Sequence, residues 1–226
     1  MNKSAGLFSS SLGRKVVMGL TGLFLCSFLI VHLAGNLALF KPVSEAAEAF
    51  NRYTLFMTTN PLIRISEILL FAGLVAHIAD AIMLTNANKK ARPVKYAMDK
   101  KKSSWYSRNM GMTGSLILIF IILHLNSYFV KYKFGGVEEV VYDGDKMGDM
   151  YSVVVSSFGD IGYSLIYIVC IIVLGLHLNH GFQSAFQSMG LNHPKYTPLI
   201  QGVGEFIAIV IPLLFAIIPI YILLSK

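Results

Sequence analysis

Apolar residues in this chain come in five long runs, at about 16–40, 61–85, 109–130, 161–186 and 199–224, with polar residues gathered between them. At 1.5 Å of rise per residue, each run is long enough as a helix to cross ~30 Å of hydrocarbon. The pattern predicts an all-α membrane protein with five transmembrane helices, forming one domain over 1–226. Between the first two runs, Ala46, Ala47, Phe50, Tyr53, Leu55 and Phe56 recur at loosely helical spacing and predict an interfacial helix within 41–60. The stretch 131–160 carries Gly135-Gly136 and an acidic patch and reads as an outer loop or short hairpin. His193-Pro194 to Thr197-Pro198 predicts a tight turn into the last run, where Pro212 and Pro219 predict a kinked packing helix. The first run is too long for a removable signal peptide and lacks a small-residue cleavage site after it.

Composition agrees: 55% of the 226 residues are hydrophobic, only 14% are charged, and mean hydropathy is +0.63. A soluble domain of this size needs more charged surface. The net charge of +7 would suit a nucleic-acid partner, but its placement argues against one. Lys3, Arg14 and Lys15 precede the first run. The connection between the second and third runs holds Lys89, Lys90, Arg92, Lys95, Lys100, Lys101, Lys102 and Arg108 against one carboxylate, Asp99. The opposite connections carry Glu45, Glu48, Glu138, Glu139, Asp143, Asp145, Asp149 and Asp160. The positive-inside rule then predicts a cytoplasmic N-terminus and, after five spans, an external Lys226. The basic loop is either this topology signal alone or also a docking surface for an acidic cytoplasmic partner or anionic lipid. Cys26 and Cys170 lie in apolar runs as small buried side chains, and there is no C-x-x-C-H to attach a haem covalently.

The chemistry lies in four histidines, His32, His77, His124 and His177, one in each of the first four runs. An ionisable side chain inside a bilayer is costly and needs a reason. Counting from flanking charges, His32 is 17 residues past Lys15 and His124 is 16 past Arg108, each ~24–26 Å from the cytoplasmic face. His77 is 16 past Pro61 and His177 is 17 past Asp160, each at the same depth from the outer face. The depths pair His32 with His124 in an outer layer and His77 with His177 in an inner one, offset by ~10 Å or a little more. Two layers of paired imidazoles predict two haems; a zinc site would gather its ligands at one level. A polar residue satisfied within a helix bundle is the competing reading for any one of the four. His180 points elsewhere at i+3 from His177, and His193 sits in a turn where solvation is expected.

An internal echo supports the pattern. Met18-Gly-Leu-Thr-Gly22 leads to His32-Leu33, and Met110-Gly-Met-Thr-Gly114 leads to His124-Leu125 at the same spacing. Gly22 and Gly114 fall ~15 Å nearer the cytoplasm than those histidines, level with the inner pair, where the lack of a side chain leaves room for a porphyrin. Close helix packing is the alternative for each glycine.

Over nearly its whole length the chain resembles the five-helix, di-haem cytochrome b membrane anchor of succinate dehydrogenase and fumarate reductase. The resemblance rests on Arg14-Lys15, Leu20-Thr21-Gly22, His32-Leu33, Asn36, Asn60-Pro61-Leu62, Glu67, His77, His124, and His177 followed by Gly181 and Gly190. It implies two haem b groups within a bundle of four of the five spans, His32/His124 ligating the outer and His77/His177 the inner. It implies a multi-pass location in the bacterial cytoplasmic (inner) membrane, with flavoprotein and iron–sulfur subunits on the cytoplasmic side. The chain would then be the non-catalytic, electron-transfer subunit of a respiratory succinate:quinone oxidoreductase, exchanging electrons with a quinone, expected to be menaquinone. Arg14, Lys15 and Arg108 would bind propionates of the inner haem or simply anchor the helices, and Glu45 and Glu48 are candidates for handling quinone protons. Arg64, Glu67 and Asp80 are expected to be snorkelling or paired structural charges. Some fumarate reductases of this type carry a glutamate two residues before the fourth ligand; here Gly175 stands there, and no such proton path is expected. Two alternatives stay open: a cytochrome b anchor of another quinone-linked enzyme, such as a hydrogenase or formate dehydrogenase, and a transporter using its histidines for ions or protons.

Overall fold

The structure, a computed structural model, describes residues 10–91 and 108–225. Most of the basic loop, with Arg92, Lys95, Asp99 and Lys100–Lys102, lies outside the described residues, as do Lys3 and Lys226.

Seven helices and one hairpin make up the described fold. They are α1 (Ser11–Asn36), α2 (Val43–Thr59), α3 (Pro61–Ala91), α4 (Met110–His124), a hairpin of β1 (Glu139–Tyr142) and β2 (Asp145–Gly148), α5 (Met150–Phe158), α6 (Ile161–Ser188) and α7 (Thr197–Leu224). A 3₁₀ turn, Leu37–Phe40, ends the first span before Pro42. A π-helical stretch, Leu125–Val130, and a last α turn, Lys131–Lys133, extend the third. Five of these segments are long and apolar enough to cross a membrane: Leu12–Phe40, Pro61–Lys90, Met110–Lys133, Ile161–Ser188 and Thr197–Leu224. Helix is the form that satisfies every backbone group within one segment, as hydrocarbon demands.

Local signals set the ends. Ser10 caps α1 by accepting from the Gly13 amide at 3.0 Å, and Asp160 caps α6 by accepting from the Tyr163 amide at 2.7 Å. Gly190, at φ +74°, closes α6 while the Leu191 amide returns to the Phe186 carbonyl at 3.0 Å. The hairpin turns at Asp143 and Gly144, both with positive φ, as a two-residue turn between twisted strands requires.

The interfacial helix expected within 41–60 is present as α2. The stretch 131–160 does contain a hairpin, and it also contains α5, a nine-residue helix that the sequence reading left as loop. Asp149 caps α5, its Oδ1 accepting from the Ser152 amide at 3.1 Å. The last span is one unbroken helix through Pro212 and Pro219, both buried.

Helix α1 packs against α3 on one side and α6 on the other, α6 packs against α4, and α3 touches α4 only sparsely. The four spans therefore form a ring in the order α3–α1–α6–α4, with α7 laid outside against α6. Here the side bearing Arg14, Lys89, Lys90 and Arg108 is termed the basic side, and the end with α2, α5 and the β-hairpin the hairpin side. A core at the hairpin side joins Leu39, Phe50, Met150, Val154, Phe158, Tyr167, Ile171, Ile218 and Ile222. A smaller cluster, Cys26, Leu178, Phe182 and Ala208, binds α1, α6 and α7 further toward the basic side.

The hairpin-side cap is held by polar contacts. Asn51, fully buried in α2, donates to Asp149 Oδ1 at 2.9 Å and accepts from the Tyr151 amide at 2.9 Å. Arg52 pairs with Glu48 at 2.7 Å and reaches the hairpin at Asp143 (2.7 Å) and Asp145 (3.2 Å).

Candidate functional site

The ring places the four histidines on its diagonals. His32 of α1 faces His124 of α4 with ring centroids 5.7 Å apart and planes at 88°. His77 of α3 faces His177 of α6 at 6.4 Å and 68°. Neither diagonal is bridged by close helix packing, so each pair spans an interior the backbones leave open. All four rings remain half-buried for the same reason.

Repeat residues set the vertical order. Thr21, beside His77, and Thr113, beside His177, each lie 11 residues before His32 and His124 respectively. Along the helix this separates the levels by ~16 Å, more than the ~10 Å counted from flanking charges. With each pair ~24–26 Å from its own flanking residues, a ~16 Å offset puts the two sets of flanking residues ~34 Å apart, less than the ~40–45 Å bilayer thickness on which the count rested.

The surroundings differ between levels. The hairpin-side pair is aromatic: Phe28 stacks on His32 at 5.2 Å, Phe215 lies 5.6 Å from it, and Phe120 and Tyr128 flank His124 at 5.8 and 5.3 Å. Tyr167 brings its hydroxyl to 3.4 Å from His124 Nδ1 and receives the Tyr163 hydroxyl at 2.9 Å. At the basic-side pair, Thr21 Oγ1 lies 3.2 Å from His77 Nδ1, and Thr113 Oγ1 lies 3.4 Å from His177 Nδ1. Sequence reasoning passed over Thr21, Thr113 and Tyr167, although the two threonines stand inside the repeated segments.

Gly22 and Gly114 lie at the basic-side level, against His77 and His177. A Cβ built on them would meet the Cε1 atoms of those rings at 3.4 and 3.7 Å, an ordinary contact. The imidazoles thus occupy part of the room that the sequence reading assigned to a porphyrin. Gly175 differs, since a Cβ there would lie 2.9 Å from the Ala208 carbonyl oxygen of α7. The position has no space for the glutamate found in some proteins of the resembled family.

The charged candidates separate. Lys15 is exposed. Arg108 is exposed at the foot of α4. Arg14 is half-buried, and its Nε is buried with no hydrogen-bond partner among the described residues. Asp80, one turn from His77 toward the basic side, is 6% exposed, and its Oδ2 also lacks a partner there. Its burial sets it apart from a snorkelling surface charge. Glu67 is paired as expected, with Arg64 and, at 3.9 Å, with Lys133. Glu48, half-buried, is held by Arg52, and Glu45, exposed, lies 4.0 Å from Lys41. His180 turns to Ser184, 3.0 Å away, and takes no part in either pair. An open cavity of about 430 Å³ at the basic-side end of α6 and α7, lined by Gln183, Gln187, Asn192 and His193 among others, is separate from both pairs.

The donor sets fit axial ligation of a planar metal group. Two imidazoles sharing one metal stand roughly 6 Å apart by ring centre, from two metal–nitrogen bonds of about 2 Å and about 1 Å within each ring. The observed 5.7 and 6.4 Å lie on either side of that value. Arg14 Nε is a donor suited to an acidic substituent at the basic side.

Comparison of the chain with protein-family models, with curated proteins and with solved structures finds no match.

Proposed function

We propose that this chain is the membrane anchor and electron-transfer subunit of a succinate:quinone oxidoreductase, a di-haem cytochrome b that passes electrons between a soluble iron–sulfur subunit and a quinone. The observation that carries the reading is the two imidazole pairs on crossed diagonals, two donors at each of two levels. A single histidine can be a satisfied polar residue of a bundle, as His180 is beside Ser184, but four that face one another in pairs at two levels are better accounted for as ligands.

His32 and His124 would hold the outer haem b, and His77 and His177 the inner. When bound, the haems supply one-electron carriage across the bilayer. The protein holds the axial nitrogens in register, keeps water out with Phe28, Phe120, Phe215 and Tyr128, and offers Arg14 to an inner propionate. On this reading the basic side is cytoplasmic and receives the flavoprotein and iron–sulfur subunits. The quinone, menaquinone by the resemblance, is taken from the lipid at the other end. Of the two carboxylates proposed for its protons, Glu48 is engaged by Arg52 and Glu45 lies near Lys41. Gly175 removes a membrane-spanning carboxylate path.

The test is the reduction of the chain's pigment in membranes containing its co-purifying subunits. Succinate and a menaquinol analogue are each expected to reduce it. A pigment answering to hydrogen or formate instead would move the chain to another quinone-linked enzyme, and colourless protein would favour a transporter.

A further inference from the structure

The repeated segments do more than echo each other. Thr21 in Met18–Gly22 and Thr113 in Met110–Gly114 stand at equivalent positions, and each meets the histidine of the next helix, 56 and 64 residues further on. The duplicated unit is thus a helix pair, α1–α3 or α4–α6, whose first helix supplies Thr-Gly and whose second supplies the imidazole.

Each hydroxyl could donate to its own helix or to the imidazole, and in both cases a helix carbonyl is the nearer acceptor, at 2.8 Å against 3.2 Å for Thr21 and 3.1 Å against 3.4 Å for Thr113. Thr21 Oγ1 lies 2.8 Å from the Val17 carbonyl and 3.2 Å from that of Met18. Thr113 Oγ1 lies 3.3 and 3.1 Å from the Asn109 and Met110 carbonyls. Carbonyl oxygens only accept, so each hydroxyl spends its single hydrogen on its own helix. What it presents to the histidine is a lone pair, and a lone pair can be met only by N–H. We propose that Thr21 and Thr113 are positioning residues that fix the tautomers of His77 and His177, placing the proton on Nδ1 and leaving the Nε2 lone pairs free.

The adjacent glycines border the same rings, their Cβ positions 3.4 and 3.7 Å from Cε1 of His77 and His177. The hairpin-side pair is built otherwise. Tyr167 receives the Tyr163 hydroxyl and lies 3.4 Å from His124 Nδ1, while His32 lies between the Phe28 and Phe215 rings. Both basic-side imidazoles meet a threonine of the repeat, whereas the hairpin-side pair is set mainly among aromatic rings. An Nδ1–H donated to an acceptor makes an imidazole a stronger electron donor through Nε2. The inner haem of the proposed function would thereby have its oxidised state favoured and its midpoint potential lowered. That consequence rests on the haem reading; the tautomer assignment does not.

The experiment has two arms that fail separately. In the full-length chain prepared without haem and labelled with ¹⁵N-histidine, His77 and His177 are expected as the Nδ1–H tautomer. Thr21→Val is expected to release only His77 and Thr113→Val only His177, with Thr→Ser restoring each. Nε2–H signals in the unsubstituted protein, or no response of either histidine to its own threonine, would overturn the proposal. In the haem-loaded chain, either valine variant is expected to keep two haems and to raise the midpoint of the inner one alone, again restored by serine. Unshifted potentials with both haems retained would overturn the electronic consequence. A chain that binds no haem would sink the proposed function, while the nitrogen signals would still decide the tautomers.

Discussion

Gly175 gives the sharpest steric prediction. Pro212 has no amide hydrogen, so the Ala208 carbonyl four residues earlier is without its helical partner, and this oxygen is the atom nearest Gly175. A methyl group at 175 would come to 2.9 Å from it and to 3.4 Å from Pro212 Cγ. A backbone oxygen cannot rotate aside as a side chain can, so α6 and α7 must separate. Overpacking of this kind costs about 1–3 kcal/mol. Replacing Gly by Ala within a helix returns roughly 1 kcal/mol of propensity. The net loss is about 0–2 kcal/mol, and at roughly 2–4 °C per kcal/mol for a chain of this size, Gly175→Ala should melt lower by up to about 8 °C. Gly181→Ala is the internal control: it lies on the same helix with nothing within 4 Å of its Cβ position, so propensity alone should make it slightly more stable. Thermal denaturation of detergent-solubilised protein, followed by size-exclusion recovery, compares them directly. Equal stability of the two variants would refute the close approach of α6 and α7.

Three further outcomes follow from the site and its cap. His32→Ala and His124→Ala are expected to lose the same haem, and His77→Ala and His177→Ala the other, in haem-resolved difference spectra; His180→Ala, held by Ser184, should lose neither. Asn51→Ala removes two hydrogen bonds at a fully buried position and should loosen α2 from α5 by about 1–3 kcal/mol per stranded group, seen as faster hydrogen exchange in α5. Burial pushes the Asp149 carboxyl up, but hydrogen bonds from Ser152 and Asn51 outweigh it and leave the group below the ordinary carboxylate range. A depressed carboxylate contributes stability above its unfolded value and loses it as pH falls through the folded one. Acid should therefore open the hairpin-side cap to limited pepsin cleavage, with a smaller pH-dependent step in Asp149→Asn.

Much of the fold was legible because a helix in lipid obeys a rule local to its own segment. Run length and apolarity specify such helices without reference to partners, and five segments follow. Adding rise per residue brought His32 level with His124 and His77 level with His177, and the structure sets the rings of each pair opposite one another. The spacing between levels came out short, because the flanking residues lie closer together than the full bilayer thickness assumed between them. The cap was less legible. Gly135-Gly136 drew attention in the loop, while the turn is made by Asp143-Gly144. Helix α5 is too short for periodicity to declare itself, and it depends on Asn51, 98 residues before its Asp149 cap. Thr21 and Thr113 were visible as a repeat but not as histidine partners, since a contact over 56 or 64 residues leaves no trace in local pattern. The burial of Asp80 was not legible, because distance from a span end does not tell which face of α3 is enclosed.

The central claim is that paired imidazoles at two levels hold two haems, and a pyridine haemochrome assay against protein concentration on the purified chain tests it most directly. Two haem b per chain is the expected result. Material with no haem, or with a single haem, would contradict the account.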